Sequence, residues 1–335
     1  MSALRSFRLL KPKCFNKNNL ACLLCDKNRT FRHSESQQTH FGFETVSERE
    51  KAEKVHAVFE NVASNYDLMN DAMSLGIHRL WKDYFISCLA PSRGTQLLDV
   101  AGGTGDIAFR FLNYVNNAKN SDQNIDHDLS YMKKRNPLRL DVEEGSSSSS
   151  SSFTSSDDEE NTLHSTHAVI CDINEAMLDV GKVRAKSLGY DEKQLSWIQG
   201  DAEKLPFDDN SFDVYTIAYG IRNVVHLDNV DLYYHALSEA YRVLKRGGRF
   251  VCLEFSHVDN SILRRAYDLY SFQVIPVLGQ ILARDWKSYQ YLVESIRQFP
   301  NQEEFKTMVE SVGFTSVTCE NLSFGISAIH SGFKM

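Results

Sequence analysis

Short apolar runs alternate with longer amphipathic stretches along this chain. Leu97-Leu98-Asp99-Val100, His167-Ala-Val-Ile-Cys-Asp172, Leu195-Ser-Trp-Ile-Gln-Gly-Asp201, Phe212-Asp-Val-Tyr-Thr-Ile-Ala218 and Arg249-Phe-Val-Cys-Leu-Glu-Phe255 are apolar, brief and rich in β-branched and aromatic residues. Each predicts a strand. Between them, the stretches beginning at Ile107, Glu175 and about Asp231 repeat apolar positions at helical spacing. The last is expected to run to Leu244 and to stop at Lys245-Arg-Gly-Gly248, basic residues followed by glycine. Upstream, Ser47 to Phe59 predicts a charged helix with Val55, Val58 and Phe59 as its apolar points. Leu80, Trp81, Tyr84 and Phe85 are expected to pack on the sheet. Strand–helix alternation of this kind gives a mostly parallel sheet covered on both faces. Ligands in such sheets bind beyond the carboxyl ends of the strands. Asp99, Asp172, Asp201 and Ala218-Tyr219-Gly220 all fall at those ends.

Two stretches break the alternation. Residues 1 to 34 carry Arg5, Arg8, Lys11, Lys13, Lys17, Lys27, Arg29 and Arg32 against the single acid Asp26. No apolar segment there is long enough for a secretory core or a membrane span, so residues 1–40 read as a mitochondrial transit peptide or disordered leader. Residues 120–165 hold a serine run from Ser146 to Ser152 and the acidic Asp157-Asp-Glu-Glu160. That composition buries too little apolar surface to offset ordering, and it reads as a disordered insertion in one domain spanning 41–335. The net charge of −7 points away from nucleic acid. Seven cysteines, an odd number, read as reduced thiols. The lone Cys22-Leu-Leu-Cys25 has no second pair or histidine cluster, so no metal site is expected.

The chemistry concentrates at Asp99-Val-Ala-Gly-Gly-Thr-Gly-Asp106, a strand end, a glycine turn and a helix start. Gly103, Gly105 and Ala108 satisfy the dinucleotide pattern G-x-G-x-x-G/A. Asp99 equally suits the sulfonium and amine of S-adenosyl-L-methionine. The loop alone leaves both open, and with them a nicotinamide-dependent oxidoreductase, a methyltransferase or an inactive scaffold. A carboxylate accepts two hydrogen bonds, so Asp172 suits a ribose diol, although a strand-end Asp can also cap a helix.

Further motifs narrow the choice. Asn65-Tyr-Asp-Leu-Met-Asn-Asp71, Gly200-Asp-Ala-Glu-Lys-Leu-Pro-Phe207, Tyr219-Gly-Ile-Arg-Asn-Val224, Arg242-Val-Leu-Lys-Arg-Gly-Gly248 and Leu253-Glu-Phe-Ser256 join the glycine loop. With them the chain resembles the class I S-adenosylmethionine-dependent methyltransferases, and more narrowly the ubiquinone/menaquinone-biosynthesis C-methyltransferases, over roughly residues 45–335. Two features depart from that pattern: the insertion displaces Asp172 from the glycine loop, and Ala218 stands where bacterial relatives have serine. The resemblance implies an α/β, Rossmann-like, doubly wound sheet of seven strands with the last antiparallel, and an N-terminal helical lid. It implies C-methylation of a polyprenyl benzoquinol ring in coenzyme Q synthesis. The implied setting is the matrix side of the mitochondrial inner membrane, in peripheral contact with it and with a multi-subunit synthesis complex.

Roles then follow from chemistry. Thr104, Gly103 and Gly105 approach the methionine end of the cofactor, Asp172 the ribose, and Asp201 with Ala202 the adenine. Arg222, just past the strand ending at Ala218, is expected to stabilise a developing phenolate. Asn223 and Tyr66 are expected to orient a water beside it. Arginine is a poor base, which leaves His226 and His257 as rival bases. Tyr267, Tyr270, Phe272, Trp286, Tyr289 and Tyr291 flank the apolar run Val274–Leu282. That region is expected to form either a channel for a polyprenyl tail or a dimer face.

Overall fold

A computed structural model describes residues 38–62, 66–118, 165–224 and 233–335. The leader up to residue 37 and the insertion from 119 to 164 lie outside these residues. β1 (Gln38–Phe41) and β2 (Glu44–Ser47) form an antiparallel hairpin that begins inside the stretch assigned to the leader. It is anchored far along the chain. Phe43 N donates to Glu294 Oε2 at 2.9 Å, and Phe41 stacks on Tyr291 with ring centroids 4.0 Å apart.

The lid helices follow: α1 (Glu48–Val62), α2 (Tyr66–Ser74) and α3 (Ile77–Leu89). Leu75 and Gly76 between α2 and α3 both take positive φ, which turns the chain sharply. On α3, Trp81 and Phe85 are buried with Ile86 and Leu89, and Trp81 Nε1 donates to Ser323 Oγ at 2.9 Å. Leu80 and Tyr84, also expected on the sheet, are exposed. The buried stripe is His78–Lys82–Phe85, and a one-residue offset carries Leu80 and Tyr84 off it.

β3 (Gln96–Val100) leads through the glycine loop into α4 (residues 106–118). After the insertion come β4 (His167–Asp172), α5 (Glu175–Ser187), β5 (Leu195–Gln199) and β6 (Phe212–Ala218). α6 (Tyr234–Val243) then meets β7 (Leu244–Phe255) directly. The helix thus ends one residue before the expected Leu244, but Lys245-Arg-Gly-Gly248 follow it as part of a strand rather than as a terminating loop. Leu244 already pairs with Phe212, while Arg249 pairs with Val214, so Lys245–Gly248 bulge out of the ladder. Lys245 reaches Asp213 Oδ1 at 2.8 Å rather than capping the helix. The chain closes with α7 (Ser261–Gln273), α8 (Ile275–Ala283), α9 (Trp286–Gln298), α10 (Gln302–Ser311), β8 (Thr315–Leu322) and β9 (Ser327–Phe333).

The sheet order is β5-β4-β3-β6-β7-β9-β8. β9 runs antiparallel to both neighbours and all other pairings are parallel. These are the seven strands with an antiparallel last strand that the resemblance implies. Apolar clusters pack both faces, one against α3 and α4, the other against α6 and α10. β3 is followed by β4 on one side and paired with β6 on the other, so the strand order reverses there. The crevice opens at that reversal.

Candidate functional site

A cavity of about 340 Å³ opens over the carboxyl ends of β3, β4 and β6. Its floor is the glycine loop. Register places Asp99 beside Thr216, whose Oγ1 donates to Asp99 Oδ1 at 2.8 Å. Asp99 is fully buried, and its Oδ2 has no hydrogen-bond partner among the described residues. Burial pushes its carboxyl up to about 7. An orphaned buried carboxyl oxygen at a cavity wall is costly unless a ligand supplies the partner.

Asp172 ends β4 and is held from both sides. Gly103 N donates to its Oδ2 at 2.9 Å and Asn174 N to its Oδ1 at 2.8 Å. Burial raises its pKa, and these backbone N–H groups oppose the rise. The helix cap is a different residue: Asn174 accepts from Met177 N at 3.2 Å as the N-cap of α5. Asp172 is thus free of capping duty and lines the cavity with Gly103 and Thr104.

The opposite wall follows β6. Tyr219 takes positive φ, and a Cβ on Gly220 would come within 2.4 Å of the Ala101 Cβ, so only glycine lets the two loops touch. A 3-10 turn at Ile221–Asn223 then carries Arg222 inward. Arg222 Nη1 donates to Tyr219 O at 2.8 Å and to Glu254 Oε1 at 2.6 Å, and the guanidinium lies 5.3 Å from the Phe255 ring centre. Arg222 and Glu254 are both buried. Burial raises the Glu254 carboxyl, and the Arg222 charge works against that rise. Asn223 Oδ1 accepts from the Tyr291 hydroxyl at 3.0 Å.

The lid closes the remaining sides. Val55, Val58 and Phe59 of α1 and Met69 and Met73 of α2 face the cavity, as do Ile275, Tyr289 and Tyr291 from the aromatic region. Tyr267 and Tyr270 also line it, whereas Phe272 and Trp286 do not. Lys51 of α1 donates to Val224 O at 2.8 Å, which ties the lid to the 3-10 turn. His78 and Lys82, one helical turn apart on α3, line the cavity as well. Lys82 Nζ donates to Asp106 Oδ2 at 2.9 Å. Burial works against Asp106, yet Lys82, Arg110 and Arg184 hold its carboxyl at about 2. Burial and the Lys82 charge press His78 down to about 4, so it is neutral at physiological pH. Sequence reasoning missed this pair. The available signal was the i, i+4 spacing of His78 and Lys82 on the stripe that also holds Trp81 and Phe85.

The structure therefore gathers Asp99, Gly103, Thr104, Asp172, Arg222 and Asn223 around one cavity. Gly105 lies beneath it. A Cβ there would come within 2.7 Å of the Trp197 ring, so this glycine serves packing against β5. Asp201 and Ala202 are outside the cavity lining, and Asp201 accepts from Glu203 N at 3.0 Å in an exposed turn. Tyr66 opens α2, but its side chain is outside the described residues, as is His226. His257 faces a separate cleft, with Nε2 2.7 Å from Phe299 O, and does not reach the cavity.

Comparison with known proteins accords with this arrangement. The profile of the ubiE/COQ5 methyltransferase family matches residues 47–334. The chain is 58% identical over 304 residues to the mitochondrial 2-methoxy-6-polyprenyl-1,4-benzoquinol methylase of Bos taurus, covering 91% of this chain and 86% of that protein. It is 57% identical over 298 residues to the Homo sapiens protein of the same name, covering 89% and 85%. For the Xenopus laevis protein the identity is 55% over 317 residues, covering 93% and 94%. The oxidoreductase pattern in the glycine loop thus gives way, and the chain belongs to the ubiE/COQ5 methyltransferase family.

Proposed function

We propose that this methyltransferase moves the methyl group of S-adenosyl-L-methionine to a ring carbon of a polyprenyl benzoquinol in ubiquinone synthesis. The observation that carries the reading is the two-sided cavity. Its polar floor at Asp99 and Asp172 meets an apolar wall of Met69, Met73 and Ile275, with Arg222 and Asn223 also in its lining. The relatives' name, a polyprenyl benzoquinol methylase of mitochondria, supports the same substrate and compartment. The leader, ending short of the β1–β2 hairpin rather than at residue 40, would then act as the transit peptide. Attachment to the matrix face of the inner membrane, a homodimer and membership of a coenzyme Q synthesis complex extend the same reading.

The residues fit the cofactor. Asp172 keeps lone pairs for the ribose hydroxyls. The orphaned Asp99 Oδ2 suits the cationic end, with Gly103, Thr104 and Gly105 shaping the loop beside it. Asp201 and Ala202 would reach the adenine only from the rim. When bound, the cofactor supplies an electrophilic methyl group on a sulfonium. On transfer the ring carbon would take that methyl in place of its own proton, which would return to the phenolate oxygen, so the quinol is restored and the one proton released is the hydroxyl proton taken up by water. Arg222 stabilises the phenolate that makes the ring nucleophilic. Asn223 and Tyr66 orient the water that takes the hydroxyl proton. The lid excludes other water and aligns donor with acceptor.

Isothermal titration tests the cofactor directly: S-adenosylmethionine binds and NAD does not, and the reverse would overturn the reading. Asp172→Ala should weaken S-adenosylmethionine binding by about 1–3 kcal/mol, the scale of lost hydrogen bonds to a charged group. Its melting temperature should stay close to wild type, because Asn174 holds the helix cap. Unchanged affinity would remove Asp172 from the site.

Asp99 gives a pH signature. Its carboxyl sits near 7 in the free protein, and a cationic ligand favours the ionised form. Binding therefore releases a proton, so affinity should rise as pH climbs from about 6 to about 8. Asp99→Asn should flatten that dependence. An equal slope in the variant would assign the proton elsewhere.

A further inference from the structure

Asn223 stands at the end of the 3-10 turn and lines the cavity. An amide has one end that accepts and one that donates, so what it can do depends on which way it faces. The Asn223 Oδ1 accepts from the Tyr291 hydroxyl at 3.0 Å. A phenol donates better than it accepts, which fixes this end of the amide as the oxygen. Among the described residues the other end, Nδ2, has no hydrogen-bond partner. Tyr291 is buried, and burial pushes its hydroxyl up to about 12, so it stays protonated, and a donor, at every working pH.

Tyr291 is held in turn by the amino-terminal hairpin. The Phe41 ring lies on the Tyr291 ring with centroids 4.0 Å apart and 5° between the planes. Lys54 Nζ of α1 is 5.4 Å from the centre of the same Phe41 ring. The hairpin itself is pinned one turn further along α9, where Phe43 N donates to Glu294 Oε2 at 2.9 Å and Gln290 Nε2 donates to Glu294 Oε1 at 2.7 Å. A tyrosine hydroxyl sits on the ring axis, so a ring flip leaves it in place. Only a swing about χ1 moves it, and a flat stack blocks that swing. Next in the chain to Asn223, Val224 O accepts from Lys51 Nζ at 2.8 Å. Hairpin and lid thus hold two consecutive residues at the end of the turn, one through its side chain and one through its backbone.

We propose that Tyr291, braced by Phe41, is a positioning residue that holds the Asn223 amide with its N–H groups turned to the cavity. The inference deepens the quinol reading and rests on it for its purpose: an amide so turned donates to the water or ring oxygen beside Arg222 and does not compete for the hydroxyl proton. Without the Tyr291 hydroxyl the amide can turn over and present its oxygen instead.

Kinetics of the full chain on a short-tailed, water-soluble quinol test this, with S-adenosylmethionine saturating. Tyr291→Phe keeps the ring and its stack on Phe41 but loses the hydroxyl. Its kcat should fall about tenfold, the scale of one hydrogen bond, while KM for the quinol and affinity for S-adenosylmethionine stay within about twofold. In an Asn223→Ala background the same change should lower kcat no further, because there is no amide left to orient. Phe41→Leu should lower kcat less, about threefold, and again only when Asn223 is present. Asn223→Asp keeps an acceptor for Tyr291 but loses the N–H groups, so its kcat should fall as far as that of Asn223→Ala. Losses that add in the Tyr291→Phe/Asn223→Ala variant would mean that Tyr291 acts on packing alone and would overturn the proposal. Near-normal turnover in Asn223→Asp would overturn it as well. A readout without substrate separates it from the quinol reading. The NMR signal of the Asn223 side-chain amide, identified by its absence from Asn223→Ala, should shift in Tyr291→Phe. That shift, in a protein that binds S-adenosylmethionine yet leaves the quinol unmethylated, would sink the quinol reading and leave the orientation of Asn223 standing. An unmoved signal would remove the contact itself.

Discussion

Arg222→Ala should slow quinol turnover at least about a hundredfold, the scale of one lost transition-state contact. Binding of S-adenosylmethionine should remain within a few-fold of wild type. Arg222 is buried at the cavity, fixed through Nη1 to Tyr219 O and Glu254 Oε1, and a guanidinium held there cannot relax away from a developing phenolate. Arg222→Lys keeps the charge but loses the rigid planar guanidinium whose Nη1 meets both acceptors, so its turnover should fall between the two. Steady-state kinetics at saturating cofactor, scaled to the fraction of enzyme that binds it, checks this. His257, turned toward Phe299 outside the cavity, should tolerate replacement by alanine. Near-normal turnover in Arg222→Ala, together with collapse in His226→Ala, would move the role to histidine.

Glu254→Ala should produce the largest loss of stability, about 3–5 kcal/mol, because it strands a buried guanidinium without its carboxylate. Glu254 is 1% exposed, and its Oε1 also accepts from Phe255 N at 2.8 Å. Removing both charges is a different case. Arg222→Met/Glu254→Leu should recover most of the stability while remaining inactive, since apolar partners of similar size avoid the desolvation cost. Urea unfolding of the two single variants and the double variant measures the coupling. Additive losses would mean that the two side chains do not act as a pair.

The strands were the most legible part of the chain. β4 and β6 fall on the residues that the apolar runs mark, and Asp99 and Asp172 sit at the strand ends as read. What was hidden depended on partners distant in sequence. The hairpin β1–β2 is held by Glu294 and Tyr291, more than two hundred residues away by number alone. Lys82 and His78 look like solvated charges until Asp106 and the cavity are placed beside them. The bulge at Lys245–Gly248 carries the basic and glycine residues of a helix end, yet Leu244 is already claimed by Phe212 across the sheet. Asp201 reads as one more ligand at a strand end; past Gln199 the chain folds into a small turn bridging Asp201 and Lys204, outside the cavity lining.

The most direct test of the account is the fate of a labelled methyl group. The purified protein is incubated with methyl-deuterated S-adenosylmethionine and a reduced polyprenyl benzoquinol that lacks the ring methyl, and the products are resolved by mass spectrometry and NMR. The account predicts that the intact labelled methyl appears on a ring carbon ortho to a hydroxyl, with one S-adenosylhomocysteine formed per methyl transferred and no product from Arg222→Ala. Label on a ring oxygen, or cofactor binding without any labelled quinol, would contradict it.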